Sequence, residues 1–290
     1  MVNTMRKDSS LTPELRAIIQ DKGTEHPFTG EYTDLDQPGT YLCRRCGLAL
    51  FRAASKFHSG CGWPSFDNEI PGQLIRQGDA DGHRTEILCQ RCQAHLGHVF
   101  QGEGFTAKNT RHCVNSASLD FVPDLTVMDS EEAVFAAGCF WGVEHYFKQL
   151  PGVLKTEVGY MGGRIEHPSY EDVCTGRSGH YEVLRVVYDS SRISYEELAK
   201  YFFEIHDPTQ KEGQGPDLGE QYQSVIFYYY ETQHKIAEQL ITQLKMLGYN
   251  IATALKPVQV FWQAEAYHQD YYAKTGKQPY CHRYTKRFKG

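Results

Sequence analysis

The spacing of hydrophobic and polar residues divides the chain into two regions of different texture. The first region opens with a helix, for which Thr12 suits the N-cap, Pro13 the first turn and Gly23 the end. Short extended segments broken by glycine follow, and this spacing predicts a mostly antiparallel β domain. The predicted strands lie at 40–43, 48–51, 85–89, 96–100 and 112–122.

The second region alternates between strand and helix patterns, which predicts an α+β domain resembling an α/β sandwich. A capping box at Ser194 and Glu197 starts one helix, and Gly248 follows the end of another. The predicted strands lie at 134–137, 153–160, 181–188, 222–230 and 258–261. The predicted helices lie at 140–150, 194–205, 232–247 and 265–274.

A polar segment that contains Pro123 separates the two regions. The predicted first domain covers residues 1–122, the linker covers 123–132, and the second domain covers 133–290. A chain of 290 residues is long enough for each domain to bury a core of its own.

Composition and charge exclude several classes of protein. With 40% hydrophobic and 23% charged residues, the chain has the composition of a folded globular protein. A formal net charge of -6 argues against a nucleic-acid-binding surface. The sequence contains no apolar run of the roughly 20 residues that cross a bilayer, and its first residues carry no apolar run of secretory length. We therefore expect a cytoplasmic protein that binds neither nucleic acid nor membrane.

The nine cysteines are sorted by their spacing. An odd number excludes a fully paired set of internal disulfides. Two C-x-x-C pairs can supply four thiolates to one tetrahedral ion and leave no position for water or substrate. This pattern predicts one structural zinc ion per chain, and the alternatives are a redox-active pair or no metal. The predicted ligands are Cys43, Cys46, Cys89 and Cys92.

A fifth cysteine lies in the extended segment 111–121. Alternation along a strand places Cys113 and Asn115 on the same face, where an amide can hydrogen-bond a substrate beside the thiol. Arg111 and His112 can favour the thiolate form. The alternative is that Cys113 is a small buried hydrophobic residue.

The amino-acid sequence of the first region resembles that of B-type methionine sulfoxide reductases, and the two cysteine pairs match the zinc-containing branch of that family. The resemblance is carried by segments 28–30, 59–66, 95–100 and 111–121. It implies Cys113 as the nucleophile and Cys61 as the resolving cysteine. It also implies substrate-site roles for Trp63, His95, His98 and Asn115; for the two histidines, residue type alone leaves ordinary packing or surface positions as the alternative.

A second reactive thiol is predicted at Cys139, which follows a strand and starts a helix. The free N–H groups and the dipole of a helix N-terminus favour thiolate. Phe140 and Trp141 can form an apolar wall for a methyl group, or they can belong to the core. Glu182 shares a strand face with apolar residues, where burial raises a carboxyl pKa towards the range of a general acid. The alternative is that Glu182 points into solvent at the strand end.

The second region resembles A-type methionine sulfoxide reductases. The matching segments are 138–144, 167–170, 179–182, 217–224 and 264–269. The resemblance implies Cys139 as the nucleophile and Glu182 as the proton donor to the sulfoxide oxygen. Tyr170 and Tyr222 are its implied hydrogen-bonding partners, and Asp217 is a further pocket residue. The family often carries a resolving cysteine after Gly-Tyr; here Cys281 follows Pro279 and Tyr280, and Cys174 remains as a structural residue.

The two resemblances together imply a bifunctional repair oxidoreductase. Each epimer of methionine sulfoxide needs its own enzyme, and the resemblances assign the R epimer to the first domain and the S epimer to the second. Each domain would pass through a cysteine sulfenic acid and an intramolecular disulfide, with thioredoxin as the reductant and oxidised proteins or free methionine sulfoxide as the substrate. The alternative is a zinc-ribbon interaction module joined to a redox-sensing thiol domain without turnover.

Overall fold

The chain folds as two compact units, Met1–Ser130 and Glu131–Gly290, in a computed structural model that describes residues 11–79, 82–123, 126–127 and 129–288. The first unit is mostly β and the second is α+β, which confirms the predicted two-domain layout. None of the helices in these described ranges is long and apolar enough to cross a membrane.

The first unit combines one helix with two sheets in its described residues. A three-stranded sheet has the order β2-β1-β9, and a six-stranded sheet has the order β3-β4-β8-β7-β6-β5. The pairings for which a register is given are antiparallel, as the sequence predicts. The elements are α1 (Pro13–Ile19), β1 (Gly39–Cys43), β2 (Ala49–Arg52), β3 (Lys56–Phe57), β4 (Ser65–Phe66), β5 (Leu74–Gly78), β6 (Thr85–Cys89), β7 (His95–Gln101), β8 (Thr110–Val114) and β9 (Leu119–Pro123), with 3-10 helices at Ala53–Ser55 and Ser116–Ser118.

The core of the first unit lies between these sheets. The ring of Phe51 stacks on Phe66 with centroids 4.4 Å apart, and Tyr41 meets Phe66 edge-on at 5.0 Å. All three side chains are fully buried, so they hold β1, β2 and β4 together. Helix α1 begins as predicted, because the Thr12 hydroxyl accepts a hydrogen bond from the Leu15 N–H at 3.3 Å.

The strand predicted at 112–122 is interrupted. It forms β8 and β9, separated by the 3-10 helix Ser116–Ser118. The cause is a long-range contact: the Glu25 carboxylate accepts hydrogen bonds from the Ser116 and Ala117 N–H groups. Because these donors bind a side chain rather than a neighbouring strand, the chain turns at this point.

The second unit is built on a six-stranded sheet of order β16-β15-β10-β12-β11-β17 and a small β13-β14 pair. Its elements are β10 (Ser130–Ala137), α2 (Phe140–Phe147), β11 (Val153–Met161), α3 (Tyr170–Cys174), β12 (Tyr181–Asp189), α4 (Tyr195–Ile205), β13 (Gly213–Gln214), β14 (Asp217–Leu218), β15 (Ser224–Tyr228), α5 (Glu231–Met246), β16 (Ala254–Pro257), β17 (Trp262–Gln263) and α6 (Tyr271–Thr275), with a 3-10 helix at Glu220–Tyr222.

The core of the second unit forms where α2, α4 and α5 pack on the sheet. The ring of Phe135 in β10 stacks on Phe147 of α2 and Phe202 of α4, with centroids 5.1 and 5.2 Å apart. The predicted capping box is present in α4, where Ser194 and Glu197 exchange side-chain and backbone hydrogen bonds. The stacked rings therefore hold α2 and α4 against β10.

Two predictions for the second unit are wrong. Residues 258–261 form no strand, because the chain there passes from β16 at one edge of the sheet to β17 at the other. The helix predicted at 265–274 is reduced to α6. Asp270 has a left-handed backbone with φ of 57°, and the Gln269 amide bonds both the N–H and the carbonyl of Val158 at 2.9 Å. These contacts hold 265–270 out of a helix.

Candidate active sites and metal centre

The four cysteines of the two C-x-x-C pairs converge at one point of the first unit. Each pair lies where a strand ends in a tight turn, closed by hydrogen bonds from Gly47 N to Cys43 O at 2.6 Å and from Gln93 N to Cys89 O at 2.9 Å. The Sγ atoms of Cys43 and Cys92 lie 3.6 Å apart, those of Cys46 and Cys89 lie 3.5 Å apart, and all four lie within 4.8 Å of one another.

This cysteine cluster has the dimensions of a metal site. A tetrahedral zinc ion with Zn–S bonds of about 2.3 Å requires sulfur atoms roughly 3.8 Å apart. Cys43 lies at the end of β1 and Cys89 at the end of β6, which belong to different sheets. An ion bound by the cluster would therefore connect the two sheets of the unit.

Cys113 and Cys61 form the first thiol pair. Cys113 lies in β8 between Ser65 of β4 and His98 of β7, and its Sγ is 3.8 Å from the Sγ of Cys61. Cys61 lies in a loop between Gly60 and Gly62, which have φ of 74° and 93°. The loop folds its thiol onto the strand, so the two sulfurs are in contact although 52 residues separate them.

The two thiols share hydrogen bonds that separate their acidities. The hydrogen bond between Cys113 and Cys61, aided by the Ser59 hydroxyl at 3.0 Å, lowers the pKa of Cys61 to about 4 against the effect of partial burial. The same hydrogen bond and burial raise the pKa of Cys113. Cys61 is therefore the more acidic thiol of the pair, and the two sulfurs are close enough to exchange a proton.

A buried arginine stands beside this thiol pair. The Arg111 guanidinium donates to Glu103 at 2.7 and 2.9 Å and lies 4.5 Å from the ring centre of Phe100. Its Nη1 also donates to the Cys61 sulfur at 3.4 Å. Arg111 thus favours an anionic thiol pair, as the sequence predicts.

The same role does not extend to His112, whose side chain points to the opposite face of β8. Its Nε2 lies 3.1 Å from the Glu69 carboxylate and its Nδ1 lies 3.1 Å from the Phe66 carbonyl oxygen. Successive side chains in a strand alternate between faces, which is why Arg111 reaches the thiols and His112 does not.

The two histidines expected at the substrate site, His95 and His98, are held by carboxylates. His95 Nδ1 lies 2.7 Å from Glu86, His98 Nε2 lies 2.8 Å from Asp79, and the ring centres are 5.6 Å apart. His98 is directly opposite Cys113 in the sheet, so the two side chains share a face. These histidines therefore belong to an ordered polar wall rather than to loose surface positions.

Trp63 and Asn115 are both tied to the backbone of Glu25. The Trp63 indole N–H donates to the Glu25 carbonyl at 3.1 Å, and the Asn115 side-chain oxygen accepts from the Glu25 N–H at 3.2 Å. The Asn115 amide nitrogen also donates to the Leu96 carbonyl at 3.4 Å. Asn115 directly follows the last residue of β8. Its amide therefore connects the end of β8 to the backbone at Glu25 and at Leu96.

Cys139 and Cys281 form the second thiol pair, together with Asp217. Cys139 is the N-cap residue of α2, and the two sulfurs and the Asp217 carboxylate all lie within 4.8 Å of one another. The hydrogen bond with Cys281 and burial raise the pKa of Cys139. The Tyr280 hydroxyl donates to both carboxylate oxygens of Asp217 at 3.0 and 3.1 Å, which holds this charge beside the thiols.

Glu182 lies in β12 beside the start of α2, and only 1% of its surface is exposed. Burial raises its pKa well above the usual range, and the nearby Cys139 adds to this effect. The Phe140 N–H opposes the shift by donating to the Glu182 carboxyl at 3.0 Å. Burial dominates, so the pKa of Glu182 is raised and the protonated form of the carboxyl is favoured.

Aromatic rings surround this acid and thiol. Phe140 is buried, and Trp141 stacks on Tyr271 with ring centres 3.8 Å apart. The Trp141 indole N–H donates to His268 Nδ1 at 2.9 Å, and this hydrogen bond fixes the orientation of the indole. Burial raises the pKa of Tyr170 and of Tyr222, so both hydroxyls keep their hydrogen and can donate it.

The residues that hold these side chains in place are not predictable from the sequence pattern. Glu86, Asp79 and Glu103 support the first site, and Tyr280 supports the second. Glu103 and Glu86 lie 8 and 9 residues from the side chains that they hold, and Asp79 and Tyr280 lie 19 and 63 residues away. Local spacing carries no signal for such contacts. Cys174 lies at the exposed end of α3 and belongs to neither thiol pair.

Comparison with known proteins identifies both units. Residues 131–289 match the family described as peptide methionine sulfoxide reductase, and residues 11–123 match the SelR domain. The peptide methionine sulfoxide reductase MsrA of Saccharolobus solfataricus is 49% identical over 152 residues, which cover 52% of this chain and 86% of that protein. The chloroplastic peptide methionine sulfoxide reductase A4 of Arabidopsis thaliana is 48% identical over 186 residues, which cover 63% and 72%.

A solved structure is also similar. The reduced form of Mxr1 from Saccharomyces cerevisiae is 37% identical, with a TM-score of 0.49, and the match covers 52% of this chain and 89% of that chain. The family match spans more than half of the chain, and the SelR match lies before it without overlap. The chain therefore belongs to the peptide methionine sulfoxide reductase family, as a fusion of an N-terminal SelR, or B-type, domain with a C-terminal A-type domain.

Proposed function

We propose that this protein reduces both epimers of methionine sulfoxide, the R epimer at Cys113 and the S epimer at Cys139. The observation that carries the proposal is the presence of two complete thiol pairs, one in each unit. Each pair lies beside its own set of aromatic and polar side chains that can line a substrate pocket. One chiral pocket cannot serve both configurations of sulfur, and two pockets remove that restriction.

The same chemistry serves both sites. A thiolate attacks the sulfoxide sulfur and the sulfoxide oxygen is protonated. That hydroxyl group then passes to the cysteine sulfur as its bond to the substrate sulfur breaks, so that methionine leaves as the thioether and the cysteine becomes a sulfenic acid. The second thiol of the pair then attacks the sulfenic sulfur and releases water. In total, sulfoxide and two thiols give sulfide, one disulfide and water, which balances atoms and electrons. The contact between the thiols supports this sequence.

At the second site, substrate binding and protonation of the sulfoxide oxygen have candidate residues. The rings of Phe140 and Trp141 provide an apolar wall for the substrate methyl group. Glu182 supplies the proton that the sulfoxide oxygen needs, and Tyr170 and Tyr222 hydrogen-bond that oxygen. The Asp217 carboxylate contributes a further polar contact to the bound substrate.

At the first site, Cys113 attacks after proton exchange with Cys61. The 3.8 Å contact permits the exchange, and Arg111 stabilises the single negative charge of the pair. His98, which shares a face with Cys113, and His95 provide the polar side of the pocket. Trp63 supplies an apolar surface for the methyl group. Asn115 holds the backbone of Glu25, to which the Trp63 indole is hydrogen-bonded.

The cysteine cluster of the first domain would hold one zinc ion. Four thiolates complete the coordination of zinc, so the ion would act as a structural crosslink and take no part in the reaction. The ligands are Cys43, Cys46, Cys89 and Cys92, whose separations fit the ion.

Loss of one zinc ligand should unfold the first domain selectively. We expect one zinc per chain by elemental analysis, and none in Cys89→Ser, because three ligands leave the coordination incomplete. Zinc binding contributes about 10 kcal/mol or more to the folding of small zinc domains. The variant should therefore lose the unfolding transition of the first domain in calorimetry while keeping S-epimer reduction. Cys174→Ser is the control that keeps its zinc. Protein purified without chelator that contains no zinc, with four free thiols, would contradict the assignment.

Thioredoxin is the proposed reductant, because a dithiol can reduce each disulfide by thiol exchange. We expect Cys61→Ser and Cys281→Ser to complete one round of reduction in their own domain and then stall with thioredoxin as donor. The first round forms a sulfenic acid without using the second sulfur, whereas recycling needs the disulfide. In Cys61→Ser the first round should also be slower than in the parent, because Cys61 exchanges its proton with Cys113. Methionine released per chain, measured over time, separates a burst from turnover. Cys174→Ser should turn over normally, and undiminished turnover of either resolving-cysteine variant would refute its assignment.

The direct test of the proposal is turnover of each separated epimer by the intact chain. We expect catalytic release of methionine from both with dithiothreitol as reductant. A zinc-ribbon interaction module joined to a redox sensor predicts at most one thiol oxidation per site and no turnover, so this measurement separates the two functions.

A further inference from the structure

A buried histidine outside the proposed mechanism contacts the resolving thiol of the second domain. His282 directly follows Cys281 and is 5% exposed. Its Nε2 lies 2.7 Å from the carbonyl oxygen of Ala137, and its Nδ1 lies 3.1 Å from the Cys281 sulfur. Both ring nitrogens are therefore engaged, one with the backbone and one with a reacting atom.

The contact with Ala137 fixes the direction of the second hydrogen bond. A carbonyl oxygen can only accept, so Nε2 carries the ring hydrogen and donates it. Burial lowers the pKa of His282 to about 4, so that the ring is neutral at neutral pH. Nδ1 then presents a lone pair, and the thiol of Cys281 must donate its hydrogen to it.

The position of the ring is set by the same turn that presents the nucleophile. Ala137 ends β10 and Cys139 caps α2, so the carbonyl that holds His282 lies two residues before the nucleophile. A Cβ added at Gly142, in the first turn of α2, would overlap with His282 Nδ1. The ring therefore packs against α2 at a glycine, which brings the acceptor nitrogen, Cys281 and Cys139 together.

We propose that His282 is a catalytic residue of the second half-reaction and accepts the proton of Cys281 as the disulfide forms. The inference rests on the proposed function, which supplies the sulfenic acid on Cys139. The Cys281 sulfur bonds to the Cys139 sulfur while its proton moves to His282 Nδ1, and the S–O bond of the sulfenic acid breaks. The proton then passes to the departing hydroxyl group, which leaves as water, and the ring returns to its neutral form.

Two substitutions separate proton acceptance from hydrogen bonding. The His282→Asn side chain can place an amide oxygen near the position of Nδ1, which accepts a hydrogen bond but not a proton. The His282→Gln side chain can keep a donor near the position of Nε2. We expect both to form the Cys139–Cys281 disulfide ~10²-fold more slowly than the parent, at the lower end of what general bases contribute.

The measurement is a single turnover with one equivalent of the S epimer. Methionine release reports the first step, and dimedone labelling with mass spectrometry reports the sulfenic acid on Cys139 against the disulfide. The variants should release methionine at the parent rate and accumulate labelled Cys139. His206→Asn is the matched control, because His206 is also buried and neutral but bonds the Phe202 carbonyl and Ser224 rather than a thiol.

The outcomes distinguish the inference from the function on which it rests. A parent protein that releases no methionine would overturn the proposed function. Normal methionine release, with disulfide formation in both variants within about threefold of the parent, would overturn the role of His282. A fast His282→Asn variant beside a slow His282→Gln variant would overturn proton acceptance, since a hydrogen bond alone would then suffice. A variant that releases no methionine is misfolded, and Gly142→Ala then gives the decisive comparison, because its added methyl group displaces the intact His282 ring. Disulfide formation at the parent rate in Gly142→Ala would overturn the inference. Slow disulfide formation would support it.

Discussion

Replacing Cys113 by serine should abolish reduction of the R epimer and leave reduction of the S epimer at the parent rate, and Cys139→Ser should do the reverse. A serine hydroxyl neither ionises at neutral pH nor forms a sulfenic acid, so the affected site loses its chemistry. We expect a loss of roughly 10⁴-fold or more, the scale seen when a covalent nucleophile is removed from other enzymes. The spared site keeps its rate because both thiols of each pair lie within one unit.

The experiment measures initial rates with each separated epimer and dithiothreitol as the reductant. Cys174→Ser is the matched control, because it removes an exposed thiol that belongs to neither pair. If either nucleophile variant loses both activities while its circular dichroism and unfolding transitions match the parent, the assignment of one epimer to each domain is wrong.

The thiol chemistry was predictable from sequence where it depends on local spacing. Two residues between cysteines fix a turn that aims both sulfurs at one point, and the structure brings all four sulfurs within 4.8 Å. The start of α2 directly after Cys139 follows from the change in hydrophobic period at that residue. The contact between Cys61 and Cys113 spans 52 residues, and only the family resemblance indicated it.

The errors arise where a distant side chain competes with local propensity. Alternation alone continues a strand through 112–122, but the Glu25 carboxylate takes the N–H groups of Ser116 and Ala117. Likewise, the pattern of 265–274 suits a helix until the Gln269 amide bonds the backbone of β11. The contact between His282 and Cys281 belongs to the same class, because it depends on the carbonyl of Ala137 and on space beside Gly142.

Replacing Glu182 by glutamine should slow the reduction of the S epimer by ~10²-fold or more. The sulfoxide oxygen is a poor leaving group unless a proton reaches it as the S–O bond breaks. Burial raises the pKa of Glu182 and thereby favours the protonated carboxyl that can supply this proton. Glutamine can still accept the hydrogen bond from the Phe140 N–H, so the start of α2 is preserved while the transferable proton is lost. Single-turnover formation of oxidised Cys139 measures this step directly.

Glu144→Gln is the control for Glu182→Gln, because Glu144 is a second buried carboxyl of the same domain with a pKa raised by burial to about 7. Its carboxyl accepts hydrogen bonds from the Asp270 N–H at 2.7 Å and from Thr156 at 3.2 Å, and it takes no part in the proposed reaction. We expect Glu144→Gln to change stability but not the rate of Cys139 oxidation, and both variants to keep R-epimer reduction. A Glu182→Gln protein that oxidises Cys139 at the parent rate would show that Tyr170, Tyr222 or water delivers the proton. The buried carboxyl would then serve to position the Phe140 N–H at the start of α2.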